Sequence, residues 1–284
     1  MKRKLLVTAM GFLTLASAHA SDFKWTEDEL RIYEENSEAM FFRCKIAAQD
    51  AFQEMRQIYY LPQKDETFVY KLMLERETRK ATYDYICDTP WDRVANKKRL
   101  DDLYQDSIDV RLLPHNDNLA GANVSIALRF AHKMGVNTEN YNKIMSLGLN
   151  VAKHLRKDPR YNYDVEVMDS LRNFLTKEQL VRILRSKNAV GAVNKGIATW
   201  NEVKAAGLIE NEDSASCCDN AIEYFLQEST INEMFVGHDK VLKKNLSDLW
   251  KKQPLIVRMN GSIKKKEELA KKKEEENERN EMAW

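Results

Sequence analysis

Between Trp25 and Tyr59 the apolar residues Leu30, Tyr33, Met40, Phe41, Cys44, Ala48, Ala51, Phe52, Met55 and Tyr59 recur at mostly three- and four-residue steps. That spacing marks one face of a helix turning every ~3.6 residues and does not fit the two-residue alternation of a strand. The same pattern recurs along most of the chain. Only 9 glycines and 5 prolines interrupt 284 residues, and 31% of the chain is charged. Long helices with few turns follow, and all-β and Rossmann-type architectures are excluded. The expected fold is all-α, a multi-helix bundle of about nine amphipathic helices with a charged C-terminal helix or tail.

The first twenty residues are different. Met1-Lys2-Arg3-Lys4 is a positive n-region, Leu5 to Leu15 an apolar stretch, and Ala18-His19-Ala20 a small-residue cleavage site before Ser21. This is the pattern of a secretory signal cleaved after Ala20. A spanning helix needs ~20 apolar residues, and the polar run from Ser21 comes too early. No cysteine stands at the cleavage point, which disfavours a lipid anchor. The expected location is therefore periplasmic or secreted, peripheral to a membrane at most. Removing the signal takes away Lys2, Arg3 and Lys4 and leaves 42 basic against 44 acidic residues. That balance argues against a nucleic-acid partner, which would need a basic stripe to displace phosphate counterions.

Helix boundaries can be read from caps and breakers. Thr26 and Glu29 form a capping box, with Trp25 placed to staple onto Leu30. A second helix, from about Asp65 to Ile86, carries the run Glu75-Arg76-Glu77-Thr78-Arg79-Lys80. This run reads as a solvated face with a Glu75–Arg79 pair. Thr89-Pro90 starts a third helix to about Ile108. Residues 109–118 read as a loop and a domain boundary. A fourth helix buries Leu119, Ala122, Ile126, Ala127, Phe130 and Met134 and stops at Gly135. A fifth follows Asn137, a short one spans about Asp164 to Phe174, and another runs from Thr176 to about Ala206. Gly207 ends that helix, with Leu208 set against Val203 in a Schellman arrangement. Ser216 with Asp219 caps the next helix, Thr230 with Glu233 starts a further turn, and Asp239 to Trp250 closes the packed part. Asn260-Gly261 breaks the chain ahead of a solvated lysine and glutamate tail. The regions expected are 1–20 signal, 21–110 N-terminal helical hairpin, 111–258 helical domain and 259–284 tail.

Two helix starts overlay at an offset of 39 residues, Val136-Asn137-Thr138-Glu139-Asn140 on Leu175-Thr176-Lys177-Glu178-Gln179. In each, a cap residue follows an apolar one, and Thr176 with Gln179 is a full capping box, a device that stabilises any helix by roughly 0.5–2 kcal/mol. Leu175-Thr176-x-x-Gln179 resembles the LTxxQ motif of small helical periplasmic stress proteins, the Spy and CpxP group. The resemblance covers residues 136–184. The first copy departs from it, with Val136, Asn137 and Asn140 at the defining positions. It implies a helical, homodimeric cradle that binds unfolding client proteins or modulates an envelope-stress sensor, with Leu175, Thr176, Gln179 and Asn137 as cap residues.

The remaining candidates are weaker. Cys44, Cys87, Cys217 and Cys218 permit two disulfides, and Cys44 reads either as a buried thiol beside Phe41 and Ala48 or as one half of a Cys44–Cys87 bridge. Cys217 and Cys218 fall in a first helical turn, where the helix dipole lowers thiol pKa. Asp213-Ser214-Ala215 resembles the O-glycan acceptor sites of exported proteins of the Bacteroidota, with Ser214 in a polar connector. Asp106-Ser107-Ile108 and Asp169-Ser170-Leu171 match the same pattern, but on helices. His115, His132, His154 and His238 show no metal-ligand spacing. There is no GxSxG elbow, GxGxxG or P-loop. No cofactor is expected, and the chain reads as a non-enzymatic envelope protein that binds other proteins. It would be either a chaperone-like stress protein or a structural or adaptor subunit of an envelope assembly. An enzyme with an unrecognised site is the third reading.

Overall fold

The structure is a computed structural model that describes residues 24–209 and 214–281, so the signal expected at residues 1–20 lies outside the described residues. Eleven α-helices and two short 3-10 turns form the described residues, with no strand among them. They fall into two compact units. Unit 1 runs to Arg129 and takes in Met145–Arg160; unit 2 holds Phe130–Ile144 and everything from Tyr161 on.

In unit 1, α1 (Glu27–Ile58), α2 (Gln63–Ile86) and α3 (Pro90–Leu112) form the main body. Their starts follow from local chemistry. Thr26 Oγ1 accepts from the Glu29 amide at 3.2 Å, and the Glu29 carboxylate accepts from the Thr26 amide at 2.7 Å. Thr89 caps α3 over Pro90, accepting from the Asp92 amide at 3.1 Å. The core stripe of α3 is Leu100, Tyr104, Ile108 and Leu112, all fully buried. The loop expected at 109–118 is not one: α3 continues to Leu112, and Leu113–His115 is a 3-10 turn. Buried Asn116 then joins two connections, accepting from the Tyr60 amide at 2.7 Å and donating to the Tyr60 and Leu112 carbonyls, each at 2.8 Å. No boundary falls near residue 110.

The expected fourth helix is divided into α4 (Asp117–Ala120), α5 (Ala122–Phe130) and a 3-10 turn (His132–Met134). Gly121 breaks it with φ of 84°, a conformation that costs a residue with a Cβ dearly. The long α6 (Thr138–Lys157) gives its first turns to unit 2 and the rest to unit 1. In unit 1, Lys153 bonds Asp106 at 2.6 Å, and Arg156 pairs with the fully buried Asp109.

Unit 2 continues with α7 (Asp164–Phe174), α8 (Lys177–Ala205), α9 (Ser214–Met234), α10 (Asp239–Lys251) and α11 (Leu255–Glu281). Its core joins Val203, Ala221, Tyr224, Leu249, Ile256 and Val257. The Schellman end of α8 forms as expected, with Gly207 at φ 69° and the Leu208 amide on the Val203 carbonyl at 3.2 Å. Two expected breaks are absent. Thr230 turns its hydroxyl back to the Leu226 carbonyl at 2.7 Å, a bond that leaves α9 unbroken to Met234. Asn260 is buried and donates to Glu202 on α8, so α11 passes through Asn260-Gly261 and carries the charged tail as its own continuation.

Candidate functional site

The expected cap motif forms in unit 2. Leu175 is buried, Thr176 Oγ1 accepts from the Gln179 amide at 3.2 Å, and Gln179 Oε1 accepts from the Thr176 amide at 2.9 Å. Gln179 does more than close this box, because its Nε2 donates to the Met134 carbonyl at 3.0 Å. A glutamate would complete the box but has no proton for that second bond. Met134 precedes Asn137, whose Oδ1 accepts from the Asn140 amide at 2.8 Å. The two motif copies are thus tied together through the end of a 3-10 turn, and all four residues serve helix ends.

The four cysteines are free. Cys44 is the buried thiol of the two alternatives, donating to the Glu77 carbonyl at 3.6 Å. Cys87 lies ten residues beyond Glu77 along the chain, a rise of ~15 Å on a helix, so it cannot meet the ~4.4–6.8 Å Cα spacing of a disulfide with Cys44. Burial pushes the Cys44 thiol up, with Glu77 adding to the effect and Arg43 opposing it. The dipole activation expected of Cys218 is overturned: burial and then the neighbouring Asp219 raise its pKa. Cys217 packs against the unit 2 core. Ser214 opens α9 instead of lying in a connector, and no group of His, Cys, Asp and Glu suited to a metal ion occurs among the described residues.

The charged run of α2 departs furthest from expectation. Arg79 is 1% exposed and Glu29 fully buried, so this part of the run is core and not a solvated face. Arg79 donates from Nε and Nη2 to the two Glu29 oxygens, each at 3.1 Å, and from Nη2 to the Lys24 carbonyl at 3.4 Å. Trp25 Nε1 donates to Glu75 at 3.1 Å, and Tyr104 lies 3.4 Å from Arg79 Nη1. Burial, then the Glu75 charge, drives the Tyr104 hydroxyl far above the usual phenol range. The stripe Val69, Leu72, Arg79, Tyr83 places Arg79 at a core register. An acidic partner at the third position of the capping box was the signal that could have revealed the pair.

A second arrangement lies where α1, the end of α2 and the start of α3 meet. Asp84 faces Lys97 at 2.5 Å, Arg43 at 3.5 Å and Arg93 at 3.8 Å, one carboxylate against three cations. Large apolar side chains stand exposed within a helical turn of these residues: Phe42 (70%) beside Arg43, Ile46 one turn on, Tyr85 beside Asp84, Val94 beside Arg93, and Trp91 (84%) one turn before Val94. Phe41 is exposed too, correcting its expected place on the buried face. Adjacent Phe41 and Phe42 lie ~100° apart on a helix, which was a sequence-level hint that at least one would face outward.

Comparison of the chain with protein-family models, with curated proteins and with solved structures finds no match.

Proposed function

We propose that the protein is an exported, non-enzymatic binding protein that captures other polypeptides, in the manner of chaperone-like envelope-stress proteins. One observation carries this reading: Phe42, Ile46, Tyr85, Trp91 and Val94 stand exposed around Asp84 and its three cations. Contiguous apolar surface rimmed by charge marks interaction sites in folded proteins, and Trp, Tyr and Arg are the side chains that dominate binding energy. Arg43, Arg93 and Lys97 stand there with Asp84, Asp88 and Asp92, a mixed charged rim that leaves the apolar side chains as the determinant of the client segment. The cap motif of residues 175–179 and the export pattern of residues 1–20 point the same way.

The test is suppression of aggregation of reduced insulin by the purified chain. Trp91→Ala with Phe42→Ser should abolish most of the suppression without changing the helical circular dichroism. A parent chain without suppression, or a variant as effective as the parent, overturns the reading.

A second reading, a structural or adaptor subunit, is favoured by Val190, Val193 and Ile197, which stand exposed on one face of α8. It expects a pull-down to return a single stoichiometric partner, lost in Val190→Asp.

A further inference from the structure

Helix α1 makes two sets of contacts along α2 that no straight helix can make. From Cys44 onward the pairing is antiparallel: Cys44 reaches Glu77, Phe52 packs edge-on against Tyr70 at 5.7 Å, and Arg56 pairs with Glu66 at 3.2 Å. Ahead of it Glu29 pairs with Arg79, and Trp25, which precedes the helix, bonds Glu75. Fifteen residues of straight helix would set Glu29 ~22 Å from Cys44. Yet their partners Arg79 and Glu77 are two residues apart. The axis of α1 therefore bends ahead of Met40, which packs with Cys44 and Ala81, while helix is maintained from Glu27 to Ile58.

Locally, Asn36 Nδ2 donates to the Ile32 carbonyl at 3.0 Å, a back-bond that can loosen a helix axis but does not by itself set its direction. Residues 33–40 read Tyr-Glu-Glu-Asn-Ser-Glu-Ala-Met, without glycine or proline, the usual causes of a kink. Glu38, Ala39 and Met40 are good helix formers that favour a straight axis. The bend is held from outside by the buried Glu29–Arg79 pair and the Trp25–Glu75 bond. Just past it stand Phe41 and Phe42, both more than half exposed.

We propose that the arm of residues 24–35 exchanges between two copies of this chain. In the exchanged form α1 straightens, and Trp25 and Glu29 of each copy take the seat made by Glu75, Arg79 and Tyr104 of the other. Every contact of the arm is kept, since the seat is identical in both copies, and the helix regains its preferred axis. Exchange of identical elements is a low-cost route to a symmetric dimer. The segments that were bent come together near the twofold axis, where Phe41 and Phe42 find a cover. The arrangement is independent of client binding and is read by mass, without any client.

Charge exchange tests it. Glu29→Arg and Arg79→Glu, each made in the full chain, place like charges in the seat of any species built from one variant alone. In an exchanged dimer of the two, both seats hold one Arg and one Glu again. An equimolar mixture should give a species of twice the chain mass by light scattering, at roughly tenfold or more the dimer fraction of either variant alone, as two restored buried pairs allow. A mixture that stays monomeric, or a dimer that forms as well from one variant alone, overturns the proposal. If the single variants do not fold, the parent decides: two differently tagged copies mixed at high concentration should co-purify. Ser37→Gly with Ala39→Gly should then weaken the dimer by roughly tenfold or more, because glycine penalises the straight helix. Tagged parents that do not exchange, or glycine variants that dimerise as tightly as the parent, overturn it equally.

Discussion

The same substitution at two glycines of one helix should have opposite effects, and the reason lies in how closely α8 approaches α9. A Cβ added at Gly196 would lie 2.3 Å from Ile222 Cγ1, 2.9 Å from the Ile222 nitrogen and 3.0 Å from its Cα. A side-chain methyl can rotate away, but the two backbone atoms cannot, so the helices must move apart. Overpacking of this kind costs ~1–3 kcal/mol, here toward the upper end because backbone is struck. Alanine returns ~1 kcal/mol of helix propensity, leaving Gly196→Ala destabilised by about 1–2 kcal/mol. At Gly191 an added Cβ meets nothing within 4 Å, so Gly191→Ala should stabilise by about 0.5–1 kcal/mol. The two variants should then be separated by ~1 M in urea midpoint if the unit unfolds with a slope of ~2 kcal/mol/M. Urea titration followed by tryptophan fluorescence and far-ultraviolet circular dichroism reads both. Midpoints that move in the same direction, or a Gly196→Ala variant as stable as the parent, would refute the close approach of α8 to α9.

Other expectations are equally direct. Arg79→Met leaves the Glu29 carboxylate buried without its cation and should cost ~3–5 kcal/mol; Glu29→Gln added to it should recover part, and a double variant no better than the single would count against the pair. Gln179→Glu keeps the capping box but loses the donor to Met134 and sets a carboxylate against that carbonyl, so thermal unfolding should show a loss of ~1–3 kcal/mol where propensity alone expects none. Burial raises the Asp109 carboxyl above its ordinary 3.8 despite Arg156. Stability from that group is therefore present below 3.8 and lost as pH rises through the folded value, so Asp109→Asn should gain on the parent as pH rises from that point. A difference that is flat with pH would contradict this. Thiol titration in denaturant without reductant should count four free cysteines, with Cys44 the slowest to react in the native protein.

The folded arrangement also shows which features were legible in advance. The capping boxes at Thr26 and Thr176, the cap at Thr89 and the Schellman end at Gly207 could be read because each depends on residues within one turn of each other. The expected breaks at Thr230 and Asn260 failed for two different reasons. Thr230 has a local alternative in its back-bond to Leu226, while Asn260 is satisfied by Glu202, 58 residues away. Gly121 leaves no mark on the helical pattern, because the apolar spacing on either side of it is continuous and spacing alone does not register a positive φ.

The burial of Arg79 shows the limit most clearly. Its own helix says only that a charged residue sits at a core register; whether that register is wet or dry depends on Glu29, fifty residues earlier, and on the bend of α1 that delivers it. The exposed surface around Asp84 is of the same kind, since Phe42 from the middle of α1, Tyr85 from the end of α2 and Trp91 from the start of α3 come together only in the folded unit. Backbone hydrogen bonds, caps and apolar periodicity act over three or four residues, and for that reason the amino-acid order alone settled the all-helical character and many of the helix ends. Burial of charge, the bend of α1 and the grouping of aromatics are set by partners distant in the chain, and only tertiary packing decided them.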